Sequence, residues 1–452
     1  MVFDGARRFF PKLKVGPGLY AYRGRGKYKG LSLQLRVEPD GEGVLAINAN
    51  TVLFMNETAT AHAYFFIKGL TVEDAVKAIR SMYKVSKEDA RKDHEQFLYR
   101  VNTLAKTENV CPISYLGVER IDPFSRFHTA PIRMDLALTF RCQNDCLHCY
   151  AGGPRETPEL STSDWIKVMQ KVKDAAIFIV TFTGGEPTLR DDLPELIRYA
   201  QKNGLVTGLV TNGRKLSDKG YVQSLSDAGL DFAQITLESH LPEVHDKMTC
   251  TPGSWAQTVQ GIKNALSSQI YVSTNTTLTS LNVDQALQTL EFVRELGVKS
   301  FSCNSLIYSG RAVSSGGSLA LPMEKVKLAL STLKDRSEER GINFTWFTPT
   351  RYCELNPVNM GLGIKSCSAA LLNMCIGPNG DVYPCQSYFK PVGNILRDSW
   401  KDIWNNPLCV ELRGRKYTPE ECKDCSDLQI CGAGCPLELT DSSYACQESA
   451  VR

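Results

Sequence analysis

The chain has 452 residues, 42% of them apolar, with a formal net charge of +3 at neutral pH. That length suggests about two or three domains, and that apolar fraction supports a packed core and excludes wholesale disorder. Near-neutral charge argues against a chain built to hold nucleic acid.

The unusual feature is 16 cysteines beside 6 histidines. None precedes Cys111, and ten fall between Cys353 and Cys446. A secreted disulfide scaffold would be far shorter and would start with a signal segment. The N-terminus, MVFDGARRFFPKLKVG, lacks the apolar core of such a segment. A membrane span needs roughly 18 or more consecutive apolar residues, and no such run occurs. The expectation is a cytoplasmic protein, away from membranes, that keeps its thiols for metal.

Residues 1–28 are basic and carry little periodic signal. Between Gly30 and about Leu53, LSLQLRV and GVLAINAN read as short strands around the turn PDGEG. Three helices are predicted next, over MNETATAHAYFFIKG, Val72–Tyr83 and Lys87–Leu104. The last two follow Thr-Val-Glu-Asp and Ser-Lys-Glu-Asp, which are helix-start signals.

From Pro131 strand-like runs alternate with amphipathic helices. MDLALTF precedes Ser163–Ala175, IFIVTFTG precedes Leu193–Asn203, and LVTGLVT precedes Asp218–Ala228. FAQITLE then precedes Trp255–Leu266, IYVSTNTT precedes Val283–Leu296, and VKSFSCN precedes a helix over about Met323–Arg340. Six βα units imply a parallel sheet covered by helices. Their number favours a partial barrel over a complete one, although alternation alone does not separate a barrel from an open or doubly wound sheet. After about Trp346 the chain is turn-rich and crowded with cysteine, as expected of a segment folded around metal.

The run Arg141-Cys-Gln-Asn-Asp-Cys-Leu-His-Cys-Tyr150 directly follows the first of these strands. Cys142, Cys146 and Cys149 suffice to hold three irons of a [4Fe–4S] cubane and leave one iron open. Zinc ligation is the competing reading of the thiols alone. Strand C-terminal ends are where βα folds gather catalytic groups. The segment resembles the radical S-adenosylmethionine (SAM) superfamily signature, Cys-x3-Cys-x2-Cys followed by an aromatic residue. The likeness continues at Thr183-Gly-Gly-Glu-Pro187, Leu209-Val-Thr-Asn-Gly213, Gln234-Ile-Thr-Leu-Glu238 and Tyr308-Ser-Gly-Arg-Ala312.

That resemblance implies a partial (β/α)6 barrel that binds SAM on the open iron. It implies cofactor contacts from Tyr150, Thr183, Gly184, Gly185, Glu186, Asn212, Glu238, Asn275, Gly310 and Arg311. Glu186 would fix the amino end, Tyr150 and the Gly310 region would flank adenine, and Glu238 would meet the ribose. Glu238 as a loop support is the alternative. His240, His245 and Asp246 read as a helix start. No catalytic acid or base is assigned.

Beyond the barrel, Cys367, Gly380-x4-Cys385, Cys422-x2-Cys425-x5-Cys431-x3-Cys435 and Cys446 resemble the SPASM-type C-terminal extension of radical maturases. By that resemblance, one auxiliary [4Fe–4S] cluster takes Cys367, Cys375, Cys385 and Cys435. A second takes Cys422, Cys425, Cys431 and Cys446. Cys375 lies outside the seven-cysteine pattern, and Cys353 and Cys409 are unassigned.

Val52-Leu-Phe-Met-Asn-Glu-Thr-Ala59, Gly69-Leu-Thr-Val-Glu-Asp74 and Tyr83-Lys-Val-Ser-Lys-Glu-Asp-Ala90 resemble the small peptide chaperone of pyrroloquinoline quinone biosynthesis. The resemblance implies a winged-helix-like module that binds a leader peptide as an added strand. A structural docking domain and a DNA-binding wing compete with it. The expected α/β organisation is therefore a winged-helix-like module at 30–106, a barrel at 131–345 and a cluster domain at 346–452. The expected function is a radical enzyme, fed by a ferredoxin- or flavodoxin-like donor. It would use a 5′-deoxyadenosyl radical to abstract hydrogen from a ribosomally made peptide or protein. A haem or other tetrapyrrole precursor is the alternative substrate.

Overall fold

The computed structural model describes residues 15–24, 26–48, 51–106, 128–151 and 156–439. The chain divides into two compact units. One comprises Met1–Ile132 with Met169–Ile179 and Lys202–Val206, and the other holds the remaining residues.

In the first unit β1 (Gly18–Arg23), β2 (Ser32–Val37), β3 (Gly43–Ile47) and β4 (Thr51–Met55) form an antiparallel sheet in sequence order. Register pairs Leu33 with Ile47 and Leu35 with Leu45, so one face is aliphatic. It packs on Ala63 and Phe66 of α1 (Glu57–Ile67) and on Val101 and Leu104 of α3 (Lys87–Lys106). Between them runs α2 (Val72–Met82). The start signals act as read. Thr71 Oγ1 accepts the Asp74 N–H at 3.1 Å and Ser86 Oγ accepts that of Asp89 at 3.0 Å. Asn56 caps α1 by accepting the Ala59 N–H at 2.9 Å. Each such cap contributes about 1 kcal/mol.

Sequence patterning missed β1. Its packing residues are Tyr20 and Tyr22, whose rings meet Tyr64 and Phe66 at 4.9 Å, with no aliphatic alternation to announce a strand. The run read as GVLAINAN also ends earlier, at Ile47, where Asn48 turns with a φ of 50°.

The second sheet has ten strands. β5 (Arg133–Thr139), β6 (Ile179–Gly184), β7 (Val206–Thr211), β8 (Phe232–Thr236), β9 (Tyr271–Leu278), β10 (Ser300–Ser305) and β11 (Asn343–Trp346) lie side by side in chain order. Pairing from β7 to β11 is parallel throughout. Helices fill the connections as predicted, including Met323–Arg340. The helix Pro242–Thr249 forms where His240, His245 and Asp246 read as a helix start, whereas the helix Arg311–Leu319 and the strand β11, both short, were not predicted.

The β5 edge is taken by β12 (Asn373–Ile376), which runs parallel to it and sets Cys375 opposite Asp135. β13 (Asp381–Tyr383) and β14 (Gly393–Asn394) continue the sheet antiparallel. The cysteine-rich segment therefore extends the parallel sheet from its first strand. No helix among the described residues is long and apolar enough to cross a membrane.

Candidate metal and cofactor site

The Cys142–Cys149 loop leaves β5 and is tied down from several elements. Asp145 and Leu147 donate their N–H groups to Thr249 O at 3.0 Å and Met248 O at 2.9 Å. The Arg311 N–H donates to Cys149 O at 2.9 Å, and Ser315 Oγ to Leu147 O at 2.7 Å. The Arg311 guanidinium also bonds the Asp145 and Cys146 carbonyls and pairs with the Asp145 carboxylate. Arg311 thus braces the loop through its backbone. Gly310, with a φ of +58°, makes this approach possible: a β-carbon there would lie 2.7 Å from Cys149 O.

The three cysteines are half-buried. The Asn144 N–H approaches Cys142 Sγ at 3.4 Å, and Asn212 Nδ2 lies 3.9 Å from that sulfur. Burial pushes the Cys146 thiol well above its ordinary range, and Glu238, Cys149 and Cys142 add to the rise. Such a thiol ionises on metal binding rather than spontaneously.

At the end of β6, the Gly185 N–H donates to Thr139 O at 2.7 Å and that of Glu186 to Arg141 O at 2.8 Å. Both glycines are needed for this contact, because a β-carbon on Gly184 would meet Thr139 O at 2.2 Å and one on Gly185 would meet Arg141 O at 2.3 Å. Glu186 is fully buried. One carboxylate oxygen accepts from Thr188 N, Thr188 Oγ1 and Thr211 Oγ1, and the other from Asn212 N at 2.8 Å. Burial raises its pKa, against these hydrogen bonds.

Tyr150, beside Thr183, lines a small pocket with Ala137, Phe140, Gln386 and Phe389. Burial raises the Tyr150 phenol above its ordinary range. The structure thus gathers Tyr150, Thr183, Gly184, Gly185, Glu186, Asn212, Gly310 and Arg311 around the cysteine loop. Asn275 is engaged elsewhere, donating to Asn304 Oδ1 at 2.7 Å and accepting from Ser302 Oγ at 3.1 Å. Glu238 reaches the loop through His148, whose Nε2 lies 2.9 Å from Glu238 Oε1. His148 is a residue that sequence reasoning passed over, although it stands inside the motif.

Two further thiol groups form in the C-terminal segment. Cys385 lies within electrostatic reach of Cys367, and Cys435 of both. Cys375 is within reach of Cys385, but its side chain also packs with Ala137, Phe140 and Tyr383. Burial pushes Cys385 up to about 12. The other group contains Cys422, Cys425 and Cys431, and also Cys353. Cys446 lies outside the described residues. Cys409 is buried in the helix Pro407–Arg413, as a small apolar residue would be.

Among the described residues no three His, Cys, Asp or Glu side chains close around a single metal ion. Thiolates of an iron–sulfur cubane sit on different irons and so stand farther apart than the ligands of one ion. Thiol groups of this kind are the donor sets that iron–sulfur chemistry uses.

Residues 136–293 match the radical SAM superfamily, and residues 367–426 match an iron–sulfur cluster-binding domain, SPASM. This pairing of a radical SAM domain with a C-terminal SPASM domain indicates an enzyme of that superfamily. Among curated proteins it is 25% identical over 335 residues to the PqqA peptide cyclase of Granulibacter bethesdensis, spanning 70% of this chain and 87% of that one. It is 26% identical over 323 residues to the AdoMet-dependent heme synthase of Methanosarcina barkeri, spanning 68% and 91%. Among solved structures, Streptococcus suis SuiB bound to S-adenosylmethionine superposes with a TM-score of 0.68 at 18% identity, covering 90% of this chain and 95% of that one. SuiB bound to its precursor peptide SuiA superposes at 0.64 and 17%, covering 90% and 94%.

Proposed function

We propose that this chain is a radical SAM maturase that modifies a ribosomally made peptide or protein side chain by C–H abstraction. The observation that carries the peptide reading is a four-strand, three-helix module preceding a radical SAM and SPASM chain. Its outer strands, β1 and β4, each have a neighbour on one side within the sheet. An extended leader peptide fits such an edge through backbone hydrogen bonds, with side-chain pockets supplying selectivity. Likeness to PqqA peptide cyclases and to SuiB supports the same reading.

Cys142, Cys146 and Cys149 hold the radical cluster. When bound and reduced by a ferredoxin- or flavodoxin-like donor, it supplies the electron that splits SAM into methionine and a 5′-deoxyadenosyl radical, which takes a hydrogen atom from substrate. Tyr150 and Gly310 flank the adenine, while Thr183, Gly184 and Gly185 shape the methionine end. Glu186 holds Asn212 in place beside the cluster. Cys367, Cys375, Cys385 and Cys435 hold one auxiliary cluster, and Cys422, Cys425 and Cys431 belong to a second. Clusters held there would take up the electron left after substrate oxidation, or bind substrate where one iron is open.

The test is anaerobic turnover of the reconstituted full chain with short peptides encoded beside its gene, with and without their leader. The expected result is 5′-deoxyadenosine formation coupled to a mass change in the leader-bearing peptide, and little with the leaderless one. Conversion of a haem or other tetrapyrrole precursor, with no peptide modified, would replace this reading by the tetrapyrrole one.

A further inference from the structure

We propose that Cys353 is the fourth thiolate ligand of the second auxiliary cluster, completing a set with Cys422, Cys425 and Cys431. The inference rests on the reading above that these last three cysteines hold a cluster.

Cys353 stands far from the others in sequence, in the segment between β11 and β12, and the fold returns it to them. The Tyr352 N–H donates to Cys431 Sγ at 3.3 Å, and the Cys431 thiol lies 3.7 Å from Thr350 O. The 350–352 backbone therefore wraps the Cys431 sulfur and sets Cys353 next in the chain, and a backbone N–H directed at sulfur favours the thiolate that a metal needs. A turn fixes the segment: the Glu354 and Leu355 N–H groups donate to Arg351 O at 3.0 and 2.9 Å, and Arg351 pairs with Glu354. Cys353 lies within electrostatic reach of Cys431, and Cys422 lies within reach of Cys353, Cys431 and Cys425. The group grades from buried Cys431 through half-buried Cys422 to exposed Cys353 and Cys425, so the site opens at one side of the domain. Four thiols satisfy a cubane completely, each giving up its proton to solvent on ligation. On this assignment Cys446 is not a ligand.

The test is differential alkylation of the anaerobically reconstituted full chain, read peptide by peptide by mass spectrometry before and after iron chelation. Exposed Cys250 should label in both states and serves as the control. The expected result is that Cys353, Cys422, Cys425 and Cys431 are each about tenfold less labelled with iron present, and that Cys446 labels like Cys250. Protection of Cys422, Cys425 and Cys431 with full labelling of Cys353 would overturn this proposal and leave the cluster reading standing. Full labelling of all four would remove the cluster reading and this inference with it. If Cys353 and Cys446 are both protected, iron content decides: the assignment stands only if Cys353→Ala loses iron and Cys446→Ala does not.

Discussion

His148 pairs with the buried Glu238, Nε2 to Oε1 2.9 Å, which joins the end of the Cys142–Cys149 loop to the chain just past β8. The second oxygen of Glu238 accepts the Thr277 N–H at 2.8 Å, and its own N–H donates to His245 Nδ1 at 3.2 Å. With no exposed surface, Glu238 acts as a strut holding His148, and through it Cys146 and Cys149. Glu238→Ala leaves the largely covered imidazole without its partner, at a cost of about 1–3 kcal/mol. The variant should lose iron from the radical cluster, and SAM cleavage with it, while the C-terminal irons remain. Iron quantitation with electron paramagnetic resonance checks this. A variant with full iron and only weakened SAM binding would make Glu238 a ribose ligand instead.

The glycines of Thr183-Gly-Gly-Glu-Pro187 are needed for backbone contact with the end of β5. Gly185→Ala would set a β-carbon 2.3 Å from Arg141 O and 2.6 Å from Phe140 O, where only a backbone shift relieves the clash. A displacement of about 1 Å at a reacting centre costs roughly a hundredfold in rate, and SAM cleavage by Gly185→Ala should fall by about that factor. Gly253→Ala is the control. Its φ is +78° with nothing within 4 Å of the added carbon. It should lose about 1–2 kcal/mol of stability and keep its activity.

Much of this was legible in the sequence because it depends on local signals. The Cys142, Cys146 and Cys149 spacing, the Gly184-Gly185 step and the six βα units are contiguous in the chain, as are the caps at Thr71 and Ser86. What stayed hidden depends on contacts distant in sequence. Nothing near Glu238 announces that its partner is His148, and nothing near Cys353 announces Cys431. Gly184 and Gly185 were read as cofactor contacts, yet their β-carbons would first meet the backbone of Thr139, Phe140 and Arg141. β1 was illegible because its packing residues are tyrosines on a half-exposed outer strand.

Arg36 is fully buried on β2, where a strand would normally show an aliphatic side chain. Its Nη1 donates to Ala130 O at 3.0 Å and Pro131 O at 2.8 Å, and its Nε lies 2.9 Å from Glu38. Arg36→Met should destabilise the first unit by about 3–5 kcal/mol, since the buried Glu38 carboxylate would lose its guanidinium and keep only Thr129 Oγ1, at 2.7 Å, and His128 beside it. The double change Arg36→Met with Glu38→Leu should recover part of that loss, because replacing both partners removes the charge. Thermal unfolding of the three proteins, compared at one pH, measures both effects. Equal stability of Arg36→Met and the parent would remove the clasp.

The last prediction concerns acid. His62 on α1 and His94 on α3 are buried with their Nδ1 atoms 3.0 Å apart and their rings stacked at 5.3 Å between centroids. One proton between the two nitrogens satisfies both, so the pair is built for neutral rings. Burial, and then His94, pushes His62 down to about 4, and burial also lowers His94. An unfolded histidine takes up its proton near pH 6.5, whereas folded His62 resists until about 4. The stabilisation is therefore complete above about pH 6.5 and is lost as the pH falls towards 4, on the order of 3 kcal/mol in all. Hydrogen exchange of α1 amides in the full chain, corrected for intrinsic rates, should show opening that grows more frequent from pH 7.5 to pH 5. The readout is local to α1, so acid loss of iron at the clusters does not mimic it. His62→Leu with His94→Leu should flatten the pH dependence. Protection in the parent that is unchanged between pH 7.5 and pH 5 would show that the pair does not sense acid.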